Sequence, residues 1–269
     1  MECTYFDIGL PRPDRHPDKT GNVNVIDRYE IRYKLEYAAT LAGLRRPKYL
    51  FIHIPKNGGM SIRQAPQLKD RILTAARKRL KSPAYSAAVL ETMQASGDHP
   101  GFEHARLRDV KLCVRKANTP FAIVRNPWSR VVSRFTFSVD AMNDGRSPAD
   151  YSARDFEAFL EERHKWGGKD YFWHRAIRGW FPQHDYVIDE AGNIAVDLLR
   201  LENLDDEFQR YFKVSDPLKR RNITNRPKKD YRSYYTPQTI QIVADWYARD
   251  IDVFGFDFDT GATRNTLYS

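Results

Sequence analysis

The chain has 269 residues and a formal net charge of +9; 41% of its residues are hydrophobic and 29% are charged, which excludes a disordered or collagen-like chain and allows a sizeable core. No apolar run approaches the roughly 20 residues that span a bilayer, and the first twenty residues lack the apolar stretch of a secretion signal. Two cysteines, Cys3 and Cys113, are too few for a disulfide framework or a cysteine zinc site, so we expect a cytoplasmic protein without a membrane span.

The first part of the chain predicts an arm, a helix and a strand that enters a glycine-rich turn. Residues 1–24 are rich in Pro, Asp and Gly and indicate an irregular arm, whereas the apolar spacing over 27–42 predicts a helix. Residues 49–54 form a short apolar run before Pro-Lys-Asn-Gly-Gly, which is typical of a buried strand entering a turn. A helix follows the turn and is ended or kinked by Pro66, and residues 68–81 predict a basic helix.

The second part of the chain alternates predicted strands and helices. The predicted elements are a buried strand at 121–124, helices at 127–138, 155–164 and 169–181, a hairpin of 186–188 with 194–196, a strand at 198–201, a helix capped by Asn203, and a last helix from Thr236 to about Asp250. Asn126 and Pro127 suit the N-cap and the first position of the helix that they open. This alternation predicts an α/β layered fold with a parallel sheet, in a single domain over 1–269.

The segment from Phe51 to Ser61, F-I-H-I-P-K-N-G-G-M-S, is the strongest local signal. Gly58 and Gly59 allow backbone N–H groups to point into one concavity, and the following helix adds the positive end of its dipole. Lys56 supplies a full positive charge, and Ser61 supplies a hydroxyl donor. The segment therefore predicts an anion site, with an ordinary strand-to-helix turn as the alternative.

The position of the lysine separates this segment from the Walker motif. That motif, G-x-x-x-x-G-K-[ST], has its lysine after the second glycine, whereas Lys56 precedes both Gly58 and Gly59. This order disfavours a magnesium-dependent kinase or GTPase. The sequence also shows no Asp-rich cluster and no His/Glu spacing typical of a metal site, so we expect no metal.

Two segments resemble the donor-binding motifs of the sulfotransferases, especially of the carbohydrate type. I-P-K-N-G-G-M-S at 54–61 is similar to their 5′-phosphosulfate loop, I-P-K-T-G-G-T-S, and A-I-V-R-N-P-W-S-R-V-V-S at 122–133 resembles the V-R-[ND]-P-x-x-R-x-x-S segment that grips a 3′-phosphate. R-L-E-N-L at 200–204 and D-Y-R-S-Y-Y-T at 230–236 are further similar pieces. The resemblance implies a P-loop-like three-layer α/β fold with a central, mainly parallel sheet flanked by helices.

The resemblance also implies a donor substrate, 3′-phosphoadenosine 5′-phosphosulfate (PAPS), and a role for each matching residue. Lys56 would lie near the oxygen that bridges phosphorus and sulfur, and Arg125 and Ser133 would hold the 3′-phosphate. Lys228 and Lys229 would lie in a loop that closes over the nucleotide. The backbone N–H groups that would hold the 5′-phosphate belong to Asn57, Gly58, Gly59, Met60 and Ser61. Without the resemblance, each residue has an ordinary structural alternative. Arg125 could form a surface ion pair, Ser133 could present its hydroxyl on a helix face, and the two lysines could lie in a solvated loop.

Transfer to a sugar hydroxyl requires a base, because such a hydroxyl is a very weak acid. His104 is the first candidate, since it lies between the two motifs, where related carbohydrate sulfotransferases often carry a histidine base. Glu103 is the neighbouring carboxylate candidate. We expect His53 to be a packed strand side chain that helps to line the cleft.

The sequence thus predicts a PAPS-dependent sulfotransferase whose acceptor is a hydroxyl-bearing molecule, with a glycan as the preferred class. The alternatives are transfer to a small metabolite or lipid, a catalytically silent nucleotide-binding fold, and a basic protein that binds nucleic acid. Residues 61–81 and 219–232 each carry seven basic side chains and one acidic side chain, which attract an anion or form solvated faces. Nucleic acid is disfavoured because no helix-turn-helix, zinc-finger or RNP signature is present.

Overall fold

The structure is a computed structural model that describes residues 28–76, 79–81, 87, 104–169, 175–219 and 229–268. Within these residues one sheet contains the strands β1 (Tyr49–Ile52), β2 (Ile72–Thr74), β3 (Thr119–Val124) and β4 (Asp197–Arg200). The strand order is β2-β1-β3-β4, and each neighbouring pair is parallel. The predicted α/β fold with a central parallel sheet is therefore confirmed.

Helices flank the sheet on both faces. The α-helices of the described residues are α1 (Arg28–Leu41), α2 (Gly59–Arg63), α3 (Leu112–Lys116), α4 (Pro127–Asn143), α5 (Phe156–Trp166), α6 (Arg175–Trp180), α7 (His184–Val187), α8 (Leu204–Phe212), α9 (Pro237–Trp246) and α10 (Ala248–Phe254). Short 3-10 helices cover Pro66–Leu68, Leu107–Asp109 and Tyr231–Tyr234. Across the ranges given above, no helix is both long enough and apolar enough to cross a membrane.

The three layers follow from the alternation of side chains along the strands, because successive residues of a strand point to opposite faces. Leu50 and Ile52 of β1 belong to a first apolar cluster, which α4, α5 and α9 cover. Phe51 of β1 packs with Phe121 and Ile123 of β3 in a second apolar cluster, which α2 and α8 cover. The sheet is thus buried on both faces, as expected for a P-loop-like three-layer fold.

The strand order places a crevice between the carboxyl ends of β1 and β3. The chain leaves β1 for β2 through α2, on the face of the second cluster, and leaves β3 for β4 through α4, on the face of the first cluster. When the connections of two adjacent parallel strands diverge in this way, ligands bind in the crevice at their carboxyl ends. The turns at this edge are residues 53–58, called here the β1 turn, and residues 125–126, called the β3 turn.

The prediction of a basic helix over residues 68–81 is wrong. The described part of this segment contains β2, in which Ile72 lies opposite Tyr49 of β1. Backbone hydrogen bonds to a buried neighbouring strand override the local helical pattern, and such long-range pairing leaves no local signal in the sequence.

Other boundaries also differ from the predictions. Residues 186–187 belong to α7, so the predicted hairpin is reduced to a single antiparallel bridge between Ile188 and Ile194. Within the predicted helix at 169–181, the described residues contain the helix α6, Arg175–Trp180. The predicted last helix is divided at Tyr247 into α9 and α10. The predicted arm lies outside the described residues, and the single-domain organisation stays a prediction.

We expect Phe121→Ala to lower the free energy of unfolding by about 3–5 kcal/mol, because it would leave a cavity beneath the site. The Phe121 side chain is 0% exposed, and its ring centroid lies 5.0 Å from that of Phe51 and 5.2 Å from that of Phe212. Urea unfolding followed by circular dichroism measures the change. The control is Leu44→Ala at an exposed position, which should change the free energy by less than about 0.5 kcal/mol. Equal effects of the two substitutions would contradict this packing.

Candidate active site

The β1 turn has the backbone of a tight strand-to-helix connection. Lys56 and Gly58 adopt left-handed conformations with φ of 68° and 75°, and Gly58 is the N-cap of α2. A Cβ atom at Gly59 would lie 1.9 Å from His53 Nε2, so the turn packs on the histidine ring only because residue 59 is glycine. Left-handed residues next to a helix start allow successive N–H groups to form an anion-binding concavity. The Ser61 N–H donates to the Gly58 carbonyl at 3.1 Å and belongs to the first turn of α2.

Asn57 points inwards and connects the β1 turn to the end of β3. Its side chain is 1% exposed, and its Nδ2 donates to the Ile123 carbonyl and to Gln183 Oε1, each at 2.6 Å. The Asn57 Oδ1 atom is buried and has no hydrogen-bond partner among the described residues. The side chain of this residue therefore holds the turn in place, and its backbone remains the part suited to a ligand.

Lys56 lies in a group of cations around one aromatic ring. Its Nζ is 4.2 Å from the centroid of the Phe137 ring, and the guanidinium carbons of Arg175 and Arg146 are 4.7 Å and 5.5 Å from the same centroid. Burial, together with the positive charge of Arg125 and other arginines, lowers the pKa of Lys56 to about 7. An anion that enters this group would favour the charged ammonium and raise that pKa again.

Arg125 connects the β3 turn to the β1 turn. Its Nη1 donates to the Lys56 carbonyl at 2.8 Å, while Nε and Nη2 donate to Ser129 Oγ at 2.9 Å and 2.7 Å. Burial lowers the pKa of Arg125 to about 10, so the guanidinium is charged at neutral pH. The arrangement holds a permanent cation at the crevice between the two strands.

Helix α4 begins as predicted and places Ser133 in the same region. Asn126 caps the helix by accepting the Ser129 N–H at 3.0 Å, and Pro127 occupies its first turn. Residues four apart lie on one face of a helix, so Ser129, Ser133 and Phe137 form a single stripe. Ser133 therefore lies between the hydroxyl that binds Arg125 and the ring that contacts Lys56.

His104 and His53 form a buried pair beside the β1 turn. Their ring centroids are 4.3 Å apart, and His104 Nδ1 lies 2.7 Å from the His53 carbonyl oxygen. Since a carbonyl only accepts, Nδ1 carries the proton and Nε2 is the basic nitrogen of the neutral His104 ring. Burial, reinforced by His53 and Arg178, holds the pKa of His104 well below its usual range, and burial lowers the pKa of His53 to about 3. Both rings are therefore neutral at pH 7, and His53 is packed as expected.

Four further residues were predicted from the sequence, and the structure describes two of them, Met60 and Lys229. Met60 Sδ lies 3.8 Å from Nη1 of Arg63 in the same short helix. Lys229 Nζ is 4.8 Å from the centroid of the Tyr234 ring. Lys228 and Glu103 lie outside the described residues, and a loop that closes over a nucleotide stays a prediction.

Sequence reasoning missed three buried polar residues that hold this edge of the sheet together. Gln183 contacts both turns through its side-chain amide. Asp250 accepts backbone N–H bonds from Gln183 and His184, and Arg130 donates to the carbonyl of Pro55 in the β1 turn. Arg130 is the second arginine of the 122–133 motif, but the motif does not indicate that it contacts Pro55. Gln183 and Asp250 lie outside both motifs, and nothing in the single sequence indicates their partners.

Comparison with known proteins agrees with this geometry. Residues 45–257, which include both turns and the whole sheet, match the model of the sulfotransferase family. The chain belongs to the sulfotransferase family. The resemblance inferred from the two motifs is thereby confirmed, and the enzyme is a sulfotransferase that transfers a sulfuryl group. No curated protein and no solved structure shows significant similarity to it. The described part of this sulfotransferase has no group of three or more His, Cys, Asp or Glu side chains that could hold a metal ion.

We expect the sulfotransferase to take up a proton at Lys56 when an anionic nucleotide binds. The pKa of Lys56 is about 7 in the free protein, and a nearby phosphate raises it. Above pH 7 the affinity for adenosine 3′,5′-bisphosphate should therefore fall, by up to about tenfold per pH unit, until the pKa of the complex is reached. Calorimetry at several pH values, in buffers of different ionisation enthalpy, measures both the change of affinity with pH and the number of protons taken up.

The matched control for this pH dependence is Lys56→Arg, whose guanidinium stays charged over the same range. This variant should bind the nucleotide without the slope above pH 7. A slope of equal size in both proteins would show that another group takes up the proton.

Proposed function

We propose that this sulfotransferase uses PAPS as its donor and transfers the sulfuryl group to a hydroxyl of a carbohydrate. The observation that carries the proposal is the hydrogen bond between the Arg125 guanidinium and the Lys56 carbonyl. It joins a glycine-containing turn, suited to a 5′-phosphosulfate, to a capped helix start with a partly buried arginine, suited to a 3′-phosphate. A nucleotide with an anion at each end fits this pair of turns better than one with a single phosphate.

The donor would contact the two turns through different chemical groups. The 5′-phosphate would be held by the backbone around Asn57, Gly58, Gly59, Met60 and Ser61, at the positive end of α2. Because the Ser61 N–H already donates to the Gly58 carbonyl, the residues before it are the main donors in this proposal. The 3′-phosphate would be held by Arg125 and Ser133, since a guanidinium forms paired bonds to phosphate oxygens.

Lys56 would stabilise the charge that develops on the leaving phosphate. Sulfuryl transfer requires the attacking and leaving oxygens to lie in line, and it leaves negative charge on the oxygen that had bridged phosphorus and sulfur. The Lys56 ammonium, favoured by the bound anion, can donate to that oxygen. The depressed pKa of this lysine in the free protein is consistent with a site designed around an anionic ligand.

His104 would act as the general base. Its neutral ring at pH 7 is the protonation state that can accept a proton, and its Nδ1–H bond to the His53 carbonyl fixes the ring orientation. The acceptor hydroxyl would lose its proton to Nε2 as it attacks sulfur. Because His53 is the first residue of the β1 turn, its hydrogen bond holds the base against the same piece of backbone that continues into the phosphosulfate loop.

Removal of the Arg125 guanidinium should separate ligands by their 3′-phosphate. Arg125→Ala should weaken the binding of adenosine 3′,5′-bisphosphate by about 10- to 100-fold, and that of adenosine 5′-monophosphate by less than about threefold. Calorimetric titration of both nucleotides measures the difference. Arg249→Ala, which removes the same charge at an exposed position, is the control and should leave both affinities unchanged. Equal losses for the two nucleotides in Arg125→Ala would exclude a 3′-phosphate role.

Removal of the His104 imidazole should affect turnover and not donor binding. His104→Ala should lower kcat by about 10²- to 10⁴-fold, with an unchanged dissociation constant for adenosine 3′,5′-bisphosphate. In the wild type, the apparent pKa of the acid limb of the kcat/KM profile should lie below 6.5, the ordinary value for histidine, because burial lowers the pKa of His104. The control is His164→Ala at an exposed position, which should retain turnover. A wild-type pH–rate profile in His104→Ala would disprove the base assignment.

Incubation with labelled PAPS and a panel of glycans, small alcohols and lipids tests the whole proposal, with added sulfate measured by mass spectrometry. Sulfate on a glycan that depends on Lys56 supports the proposal. Sulfate only on a small metabolite or a lipid would correct the acceptor class. Nucleotide binding without transfer to any member of the panel would count against catalysis with these acceptors.

A further inference from the structure

We propose that Gln183 is a positioning residue that sets the distance between the two turns and so matches the site to both ends of the donor. This inference rests on the proposed donor. Gln183 lies between α6 and α7, and it is 0% exposed. Most buried polar side chains are hydrogen-bonded, and the partners of the Gln183 amide belong to the β1 turn and the β3 turn.

The amide of Gln183 contacts both turns at once. Its Oε1 accepts the Arg125 N–H at 2.9 Å and an Asn57 Nδ2 hydrogen at 2.6 Å, and its Nε2 donates to the Arg125 carbonyl at 2.7 Å. One planar group thereby holds the backbone of Arg125, which is proposed to bind the 3′-phosphate. The same group holds the side chain of Asn57, which follows Lys56 in the proposed phosphosulfate loop. Only a side chain that carries a donor and an acceptor side by side can make this set of bonds.

Gln183 is itself held by the C-terminal part of the fold. Its backbone N–H donates to Asp250 Oδ2, and the His184 N–H donates to Asp250 Oδ1, both at 2.8 Å. Asp250 lies on α10 and is 0% exposed, so the support comes from a helix packed against the core. Arg130 adds a parallel connection by donating to the carbonyls of Pro55 and Phe181.

Loss of the amide should affect a ligand that spans the two turns more than a ligand that contacts one of them. Without it, the Arg125 backbone and the Asn57 Nδ2 lose a buried partner and the two turns can move apart. A bisphosphate must then restore their spacing when it binds, which reduces its affinity. A nucleotide with one phosphate does not require that spacing. This difference separates a positioning role from a general loss of stability.

Titration of three nucleotides against Gln183→Met tests the inference. We expect adenosine 3′,5′-bisphosphate to bind about 10- to 100-fold more weakly, while adenosine 5′-monophosphate and adenosine 3′-monophosphate each change by less than about threefold. The control is Gln241→Met, the same substitution at an exposed helix position, which should change none of the three affinities. Equal losses for all three nucleotides, or no loss for the bisphosphate, would overturn the positioning role.

Gln183→Glu provides a second readout that also decides the matter if the methionine variant does not fold. An ionised carboxylate cannot donate to the Arg125 carbonyl, whereas a protonated carboxyl can. The bisphosphate affinity of this variant, relative to the wild type at the same pH, should therefore recover as the pH is lowered. A ratio that does not change with pH would contradict the inference.

The wild-type titrations distinguish this inference from the proposed donor. If the wild type does not prefer the bisphosphate to either monophosphate, the donor proposal fails and the role of Gln183 fails with it. If the wild type shows that preference and both Gln183 variants retain it in full, only the positioning role is wrong.

Discussion

The hydrogen bond between the Arg125 guanidinium and the Lys56 carbonyl is the contact on which the site depends. It is possible because β1 and β3 are neighbours in a parallel sheet and their carboxyl ends meet at one edge. The buried amides of Asn57 and Gln183 hold the same two turns from beneath. The spacing of the proposed donor site is therefore a property of the sheet and its polar contacts, and neither motif could produce it alone.

The electrostatics of this edge are those of a site that requires an anion. Lys56, Arg146 and Arg175 contact the Phe137 ring, and the partly buried Arg125 donates to the Lys56 carbonyl. Burial, reinforced by Arg125, Arg175 and Arg134, lowers the pKa of Lys56, while Asp140 opposes this shift. Burial lowers the pKa of Arg125, while Glu202 opposes that shift. An anionic donor would offset both shifts. The β1 turn also carries the contact between the neutral rings of His53 and His104, and His104 is the proposed base.

Features encoded by neighbouring residues were predictable from the sequence. The β1 turn follows a buried strand and contains two glycines, and α4 begins at an Asn-Pro pair, so local conformational preferences determine both. The edge strand β2 was not predictable, because its pairing with β1 overrides a basic segment that suits a helix. The role of Gln183 was not predictable either, since its side chain bonds to Arg125 and Asn57, which are separated from it by 58 and 126 positions in the sequence. Such contacts exist only after the sheet has assembled.

A crystal structure of the protein with adenosine 3′,5′-bisphosphate examines the central claim most directly. We expect a single nucleotide in the crevice, with its 5′-phosphate at the backbone of residues 57–61 and its 3′-phosphate on Arg125 and Ser133. A nucleotide that contacts only one of the two turns, or that binds at another surface of the protein, would contradict the account.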